Sequence, residues 1–162
     1  MKIAVSACLL GEACRYDGRS KPCARVQELV ALEHELVPVC PEVAGGLPTP
    51  RTPCEIVQAP WMKSGKAHMA DERSWTILDA SGADRTAAYA RGAKAELARA
   101  KEAGCELAIL KAKSPSCGSG EIYDGTFSGT LVPGWGIAAA AFRDAGITVI
   151  DETADFSRLS RM

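Results

Sequence analysis

Seven cysteines are the chemically loaded residues of this 162-residue chain, and the first question is which of them can act together. Three short apolar runs, Lys2–Cys8, Leu36–Val39 and Leu107–Ala112, read as buried strands. Cys8 ends the first, Cys40 directly follows the second, and Cys117 lies in the loop that leaves the third. Ligands of an open parallel sheet bind beyond the carboxyl ends of its strands. Parallel pairing would therefore bring Cys8, Cys40 and Cys117 to one edge, whereas Cys105 precedes its strand and belongs to the opposite edge. A closed structural zinc site takes four ligands, usually as Cys-x-x-Cys arms, and the chain contains no such pair. The ferredoxin spacings are missing too. Three thiolates on a four-iron cluster leave one iron without a protein ligand, an open position for Lewis-acid chemistry. Cys14 stays open as a spare fourth ligand, which keeps a zinc protein as an alternative. A non-catalytic metal-binding or sulfur-carrying module is a second alternative. Cys23, Cys54 and Cys105 read as small core hydrophobes.

The neighbours of these cysteines suit an active site. Glu42 follows the Cys40-Pro41 turn and is placed to move a proton at the same edge. Ser114-Pro115-Ser116-Cys117-Gly118 is a hydroxyl-rich turn able to offer donors to a substrate oxygen or sulfur. Arg15, Tyr16 and Asp17 follow strand one on the same side, where they can read a polar planar ring. Arg51, in a proline-rich loop, reads as solvated or ion-paired. His34 and His68 read as surface residues. Tyr123-Asp124-Gly125-Thr126 reads as a turn whose loop reaches the site.

The elements that must position these residues follow from pattern. Pro22–His34 reads as a helix opened by proline. Segment 41–65 reads as loop, and Trp75–Leu78 as a short strand. Asp84–Ala103 is the clearest helix, with Ala90, Ala93, Leu97 and Ala100 on one face and Gly104 as its stop. Segment 113–133 reads as a second long loop, Gly136–Ala145 as a helix and Ile147–Asp151 as a final strand. The order is that of a single α/β domain over residues 1–162 with a mainly parallel sheet and long site-forming loops. Loops of that length inside a compact domain are usually functional.

Composition narrows the function classes. A net charge of −1 with no block of like charge gives no support for a nucleic-acid groove. The most apolar stretch, Trp135–Phe142, is far too short to span a bilayer. Val5-Ser6-Ala7-Cys8 is similar to a lipoprotein cleavage box, but the apolar run before it is only Ile3–Ala7, short of the about 7–15 residues an export signal needs. A cytoplasmic setting is the expectation, and there cysteines serve as core residues, metal ligands or nucleophiles.

Three motifs also carry a resemblance. Ser6-Ala7-Cys8-Leu9-Leu10-Gly11 with Cys14-Arg15-Tyr16-Asp17-Gly18, then Pro38-Val39-Cys40-Pro41-Glu42, then Ser114–Gly118 with Ile122–Phe127, resemble the bacterial thiouracil desulfidase family in its short form. The resemblance implies a Rossmann-like α/β domain whose 4Fe–4S cluster is held by Cys8, Cys40 and Cys117. It implies removal of sulfur from thiolated pyrimidines, 2-thiouracil giving uracil and hydrogen sulfide. In that reaction sulfur binds the non-protein-ligated iron, and water assisted by Glu42 attacks the ring carbon without net electron transfer. Ser114, with Ser116 as its rival, would meet the substrate.

Overall fold

In the computed structural model, which describes residues 1–57 and 75–159, the chain is organised around four parallel strands: β1 (Lys2–Ser6), β2 (Glu35–Val39), β5 (Leu107–Leu110) and β8 (Thr148–Asp151), in the order β2-β1-β5-β8. The two central strands, KIAVS and LAIL, are apolar almost throughout because both faces of the sheet are covered. Side chains alternate between those faces. Ile3, Val5, Leu107 and Ile109 point to one layer, where they meet Val26, Leu29, Phe156 and Leu159. Ala4, Ala108 and Leu110 point to the other, where Ala100, Ala139 and Phe142 lie against them. That second layer consists of α3 (Thr86–Ala103) and α4 (Ile137–Asp144). Alanines on the sheet and on both helices let the layers approach closely.

Two small antiparallel sheets extend the parallel one: β3 (Cys54–Val57) with β4 (Thr76–Asp79), and β6 (Ser119–Tyr123) with β7 (Leu131–Trp135). Both were expected as loop or as lone strand. Segment 113–133 is largely the β6–β7 hairpin, a ribbon that tolerates Pro133 because β7 has no second neighbour in its two-stranded sheet. Segment 41–65, as far as it is described, holds the short helix α2 (Pro41–Ala44) and then β3. Ile56, Ile77, Tyr89, Ile122 and Ile137 share a core cluster that joins both ribbons to the helices.

The expected helix Pro22–His34 is also different. Only Ala24–Gln27 (α1) is α-helical, and Glu28–Leu32 winds as a 3-10 segment. The backbone N–H groups of Lys21 and Cys23 are drawn to the carbonyls of Cys8 and Leu9, which delays the helix start past Pro22. His34, expected at the surface, is buried: the N-terminal ammonium donates to its Nδ1 (3.2 Å), and its Nε2–H donates to the Leu159 carbonyl (3.0 Å). His68 lies outside the described residues. Asp84, expected as the first residue of the long helix, instead precedes α3 and accepts the Thr86 N–H at 2.9 Å.

Helix α2 rides on α3 through a missing side chain. A Cβ added to Gly92 would stand 1.6 Å from the Pro41 carbonyl oxygen, so α3 has to carry glycine there. Alanine is the better helix former by about 1 kcal/mol, yet overpacking of this kind costs roughly 1–3 kcal/mol or more. Gly92→Ala is therefore expected to lower stability by about 1 kcal/mol or more net of propensity, read as a reduced urea midpoint at unchanged denaturant slope.

Candidate active site

The parallel register sends the chain ends of β1, β2 and β5 out of one edge of the sheet, and the expected thiols are there. Cys8 sits in the 3-10 turn Ala7–Leu10 after β1, Cys40 immediately precedes α2, and Cys117 lies between β5 and β6. All three line one cavity of about 490 Å³. Cys105 is buried just before β5, at the opposite edge. Cys14, left open by sequence, is a fourth thiol on the cavity wall and contacts the thiols of both Cys8 and Cys40. Cys54, expected in the core, is half-buried on the same wall. Cys23 packs against the core layer below Cys8. All seven cysteines are free.

Cys40 and Cys117 are held by their backbones. The Cys40 N–H donates to Glu96 Oε2 at 3.2 Å, and Glu96, buried on α3, is held in turn by Arg99 Nη1 at 2.9 and 3.0 Å. In the serine-rich turn, Ser114 Oγ accepts the N–H groups of Ser116 and Cys117, each at 3.1 Å. Ser6 Oγ accepts the Lys111 N–H at 2.8 Å, tying the ends of β1 and β5 together, and its hydroxyl also meets the Cys117 thiol.

Glu42 is the polar centre. Its Oε1 accepts Arg51 Nε–H at 3.1 Å and the Tyr89 hydroxyl at 2.9 Å; its Oε2 accepts the Ser116 hydroxyl at 2.8 Å and lies 3.5 Å from Ser114 Oγ. Ser114 and Ser116 share a hydrogen bond of 2.9 Å. Both serines thus reach the carboxylate, with Ser116 the closer. Arg51, its side chain only 6% exposed, also donates to the carbonyls of Cys14 (2.7 Å) and Pro48 (3.2 Å). It therefore joins the Cys14–Tyr16 loop to Glu42. Arg15 and Tyr16 line the cavity, whereas Asp17 turns to the Arg19 N–H at 3.0 Å and to Arg15.

Sequence reasoning passed over Tyr89, Glu96, Ser6 and Lys111. Tyr89 and Glu96 lie on the buried face of α3 with Ala93 and Ala100, a spacing of four, seven and eleven residues from Tyr89. Polar groups on an otherwise small, apolar helical stripe were the available signal. Lys111 reaches the cavity while paired with Glu152 Oε1 at 2.9 Å.

Cys14, Cys40 and Cys117 resist ionisation. Burial raises Cys117 to about 12, against the lowering effect of the Ser6 and Ser116 hydroxyls. Contact with Cys14, then burial, pushes Cys40 well above the ordinary thiol value. Cys14 lies at about 11: its bond to Cys40 lowers it, but the Cys8 contact and burial prevail. Tyr89 is raised by burial and by the Glu42 charge, so it remains a donor. Protonated thiols are poor nucleophiles. A group of them around one cavity becomes a thiolate set only when a cation compensates the charge, and soft sulfur donors select iron–sulfur clusters, zinc or Cu(I). The donor set therefore fits an inorganic cluster. Among the described residues no group of three or more His, Cys, Asp or Glu is placed to hold a single metal ion.

A family model described as 2-thiouracil desulfurase matches residues 3–154. The chain belongs to the 2-thiouracil desulfurase family. An uncharacterized Bacillus subtilis (strain 168) protein, YbbK, is 44% identical over 150 residues, spanning 93% of this chain and 95% of the relative. A solved structure of a [4Fe-4S]-dependent thiouracil desulfidase, TudS, is 42% identical and superposes with a TM-score of 0.77 over 94% of this chain and 91% of the other. The Rossmann-like fold expected for a 2-thiouracil desulfurase is thus the fold observed. No helix among the described residues is long and apolar enough to cross a membrane.

The raised Cys117 gives a pH signature for the cluster-free protein. Its ordinary thiol value is 9.0 and its folded value about 12, so between these the unfolded chain sheds the proton first. Folding stability is complete below about pH 9 and falls as pH rises toward 12. Thermal melts across that window should fall less steeply for Cys117→Ala than for the wild type.

Proposed function

We propose that this chain converts thiolated pyrimidines to their oxygen counterparts, 2-thiouracil to uracil with release of hydrogen sulfide, on a 4Fe–4S cluster held by Cys8, Cys40 and Cys117. The observation that carries this reading is the meeting, in one cavity, of thiols from three strand ends with a serine-bound carboxylate. When bound, the cluster supplies one iron without a protein ligand, a Lewis acid for the thiocarbonyl sulfur.

The chain's own residues do the proton work. Arg51 and Tyr89 saturate Glu42 Oε1 and fix the carboxylate plane, which leaves Oε2 on the side of Ser116 and Ser114. Oε2 takes a proton from the water that attacks the ring carbon and returns it to the departing sulfur. Water thus provides the uracil oxygen and both protons of hydrogen sulfide, with no electrons exchanged. Ser114 and Ser116, already hydrogen-bonded to each other, relay or steady that proton and offer a hydroxyl to the substrate. Arg15 and Tyr16 at the cavity wall take the polar edge of the ring. A cytoplasmic setting suits seven unpaired cysteines. The free base, a nucleoside and other small thioamides all satisfy the same chemistry.

The test is anaerobic reconstitution with iron and sulfide, followed by loss of 2-thiouracil absorbance. A brown protein that yields uracil and sulfide is expected; a colourless zinc protein without turnover would overturn the proposal. Cys117→Ala should lose both cluster and activity. Glu42→Gln should keep its iron and sulfide content while kcat drops by about 10²–10⁴-fold.

A further inference from the structure

The tip of the β6–β7 hairpin reaches the mouth of the thiol-lined cavity and is fastened from beneath. Glu55 on β3, a carboxylate only 9% exposed, accepts two backbone N–H groups at the same oxygen, Oε1: that of Gly125 at 3.0 Å and that of Phe127 at 3.2 Å. Gly125 lies so close to β3 that a Cβ there would stand 2.7 Å from the Ile56 carbonyl oxygen, and its φ is +91°. Asp124 closes the turn by accepting the Thr126 N–H and hydroxyl at 2.9 and 2.6 Å.

The product of this fastening is the position of Phe127. Its φ of 57° lies in the left-handed region, which bulky side chains rarely adopt. Its side chain lines the cavity, yet the residue remains 39% exposed and joins none of the core clusters. Core packing therefore does not account for it. An aromatic residue whose backbone is fixed in a costly conformation at the wall of a polar cavity is pre-placed there, and such strain concentrates at ligand sites. With the backbone set beforehand, only the ring's own side-chain torsions are left to order when a second flat ring stacks on it.

We propose that Phe127 is the platform on which the flat heterocycle stacks as its sulfur enters the cavity, and that Glu55 is the positioning residue that holds the platform there. This rests on reading the cavity as a pyrimidine site. It makes Phe127 a determinant of specificity for planar over puckered thioamides.

Calorimetric binding to the anaerobically cluster-loaded protein tests it without relying on turnover, using 2-thiouracil and its puckered 5,6-dihydro analogue. Phe127→Leu should weaken 2-thiouracil binding about tenfold, erase the preference over the dihydro compound, and leave the iron and sulfide content and the unfolding midpoint unchanged. Phe127→Tyr should restore wild-type binding. Glu55→Met, which removes the acceptor but keeps side-chain length, should weaken binding as Phe127→Leu does, whereas Glu55→Gln, which keeps an acceptor oxygen, should not. Unaltered binding by Phe127→Leu overturns the stacking role, and unaltered binding by Glu55→Met overturns the positioning role. A wild type that binds no pyrimidine overturns both. A wild type that binds 2-thiouracil without converting it defeats the desulfurase reading, while a loss of binding in Phe127→Leu would still uphold the platform.

Discussion

A partly buried carboxylate needs donors to keep its charge, and the manner in which Glu42 obtains them organises the whole site. Arg51 comes from the proline-rich loop, Tyr89 from the long helix α3, and Ser116 from the turn after β5. Those segments are far apart in the chain, so the carboxylate acts as the point where separately folded pieces come into register. Arg51 extends the same network to the Cys14 carbonyl. The loop after β1 is thereby tied to the loop after β2. If Glu42 were apolar, the guanidinium beneath it would be left with an uncompensated charge at a side chain only 6% exposed.

The electrostatics of the cavity have two halves that serve one end. Burial and mutual contact keep Cys117, Cys40 and Cys14 protonated in the bare protein. The same features make the site receptive to a body that carries positive charge and tolerates sulfur. The carboxylates near it, Glu42 and Glu96, are each engaged by an arginine and by neutral donors rather than facing the thiols unpaired. The Glu42 charge still opposes ionisation of Cys40 and Cys117, which adds to the need for a compensating positive body at the site.

How much of this was legible in the sequence depended on the range of the interactions involved. The parallel strands announce themselves as short apolar runs, and the rule that ligands sit beyond strand carboxyl ends selected Cys8, Cys40 and Cys117 from seven candidates. Helix α3 was legible because alanine periodicity and Gly104 are local signals. Strand β4 was expected at Trp75–Leu78 and lies at Thr76–Asp79, but the β6–β7 ribbon was not legible, since Ser119-Gly120-Glu121 and Pro133-Gly134 lack the alternation that marks a half-buried strand. The segment after Pro22 carried helical spacing but lost its first turn to hydrogen bonds with the loop after Cys8. Tyr89, Arg51 and Glu96 are ordinary residues in their local sequence. They matter through partners outside their own elements, Tyr89 and Glu96 through segments about fifty positions away, and spacing does not report that.

The β6–β7 hairpin enters the chain after Cys117 and leaves it before α4, so it is grafted onto the domain outside the four-stranded sheet. Its tip borders the cavity, whereas its base is bridged to the segment that carries Cys117 and packs Ile122 into the core. Evolution can lengthen, shorten or recompose that tip without disturbing the inorganic chemistry beneath. Divergence in what the enzyme accepts is therefore separable from conservation of how it reacts, and diversification among related proteins should be written first in this appendage.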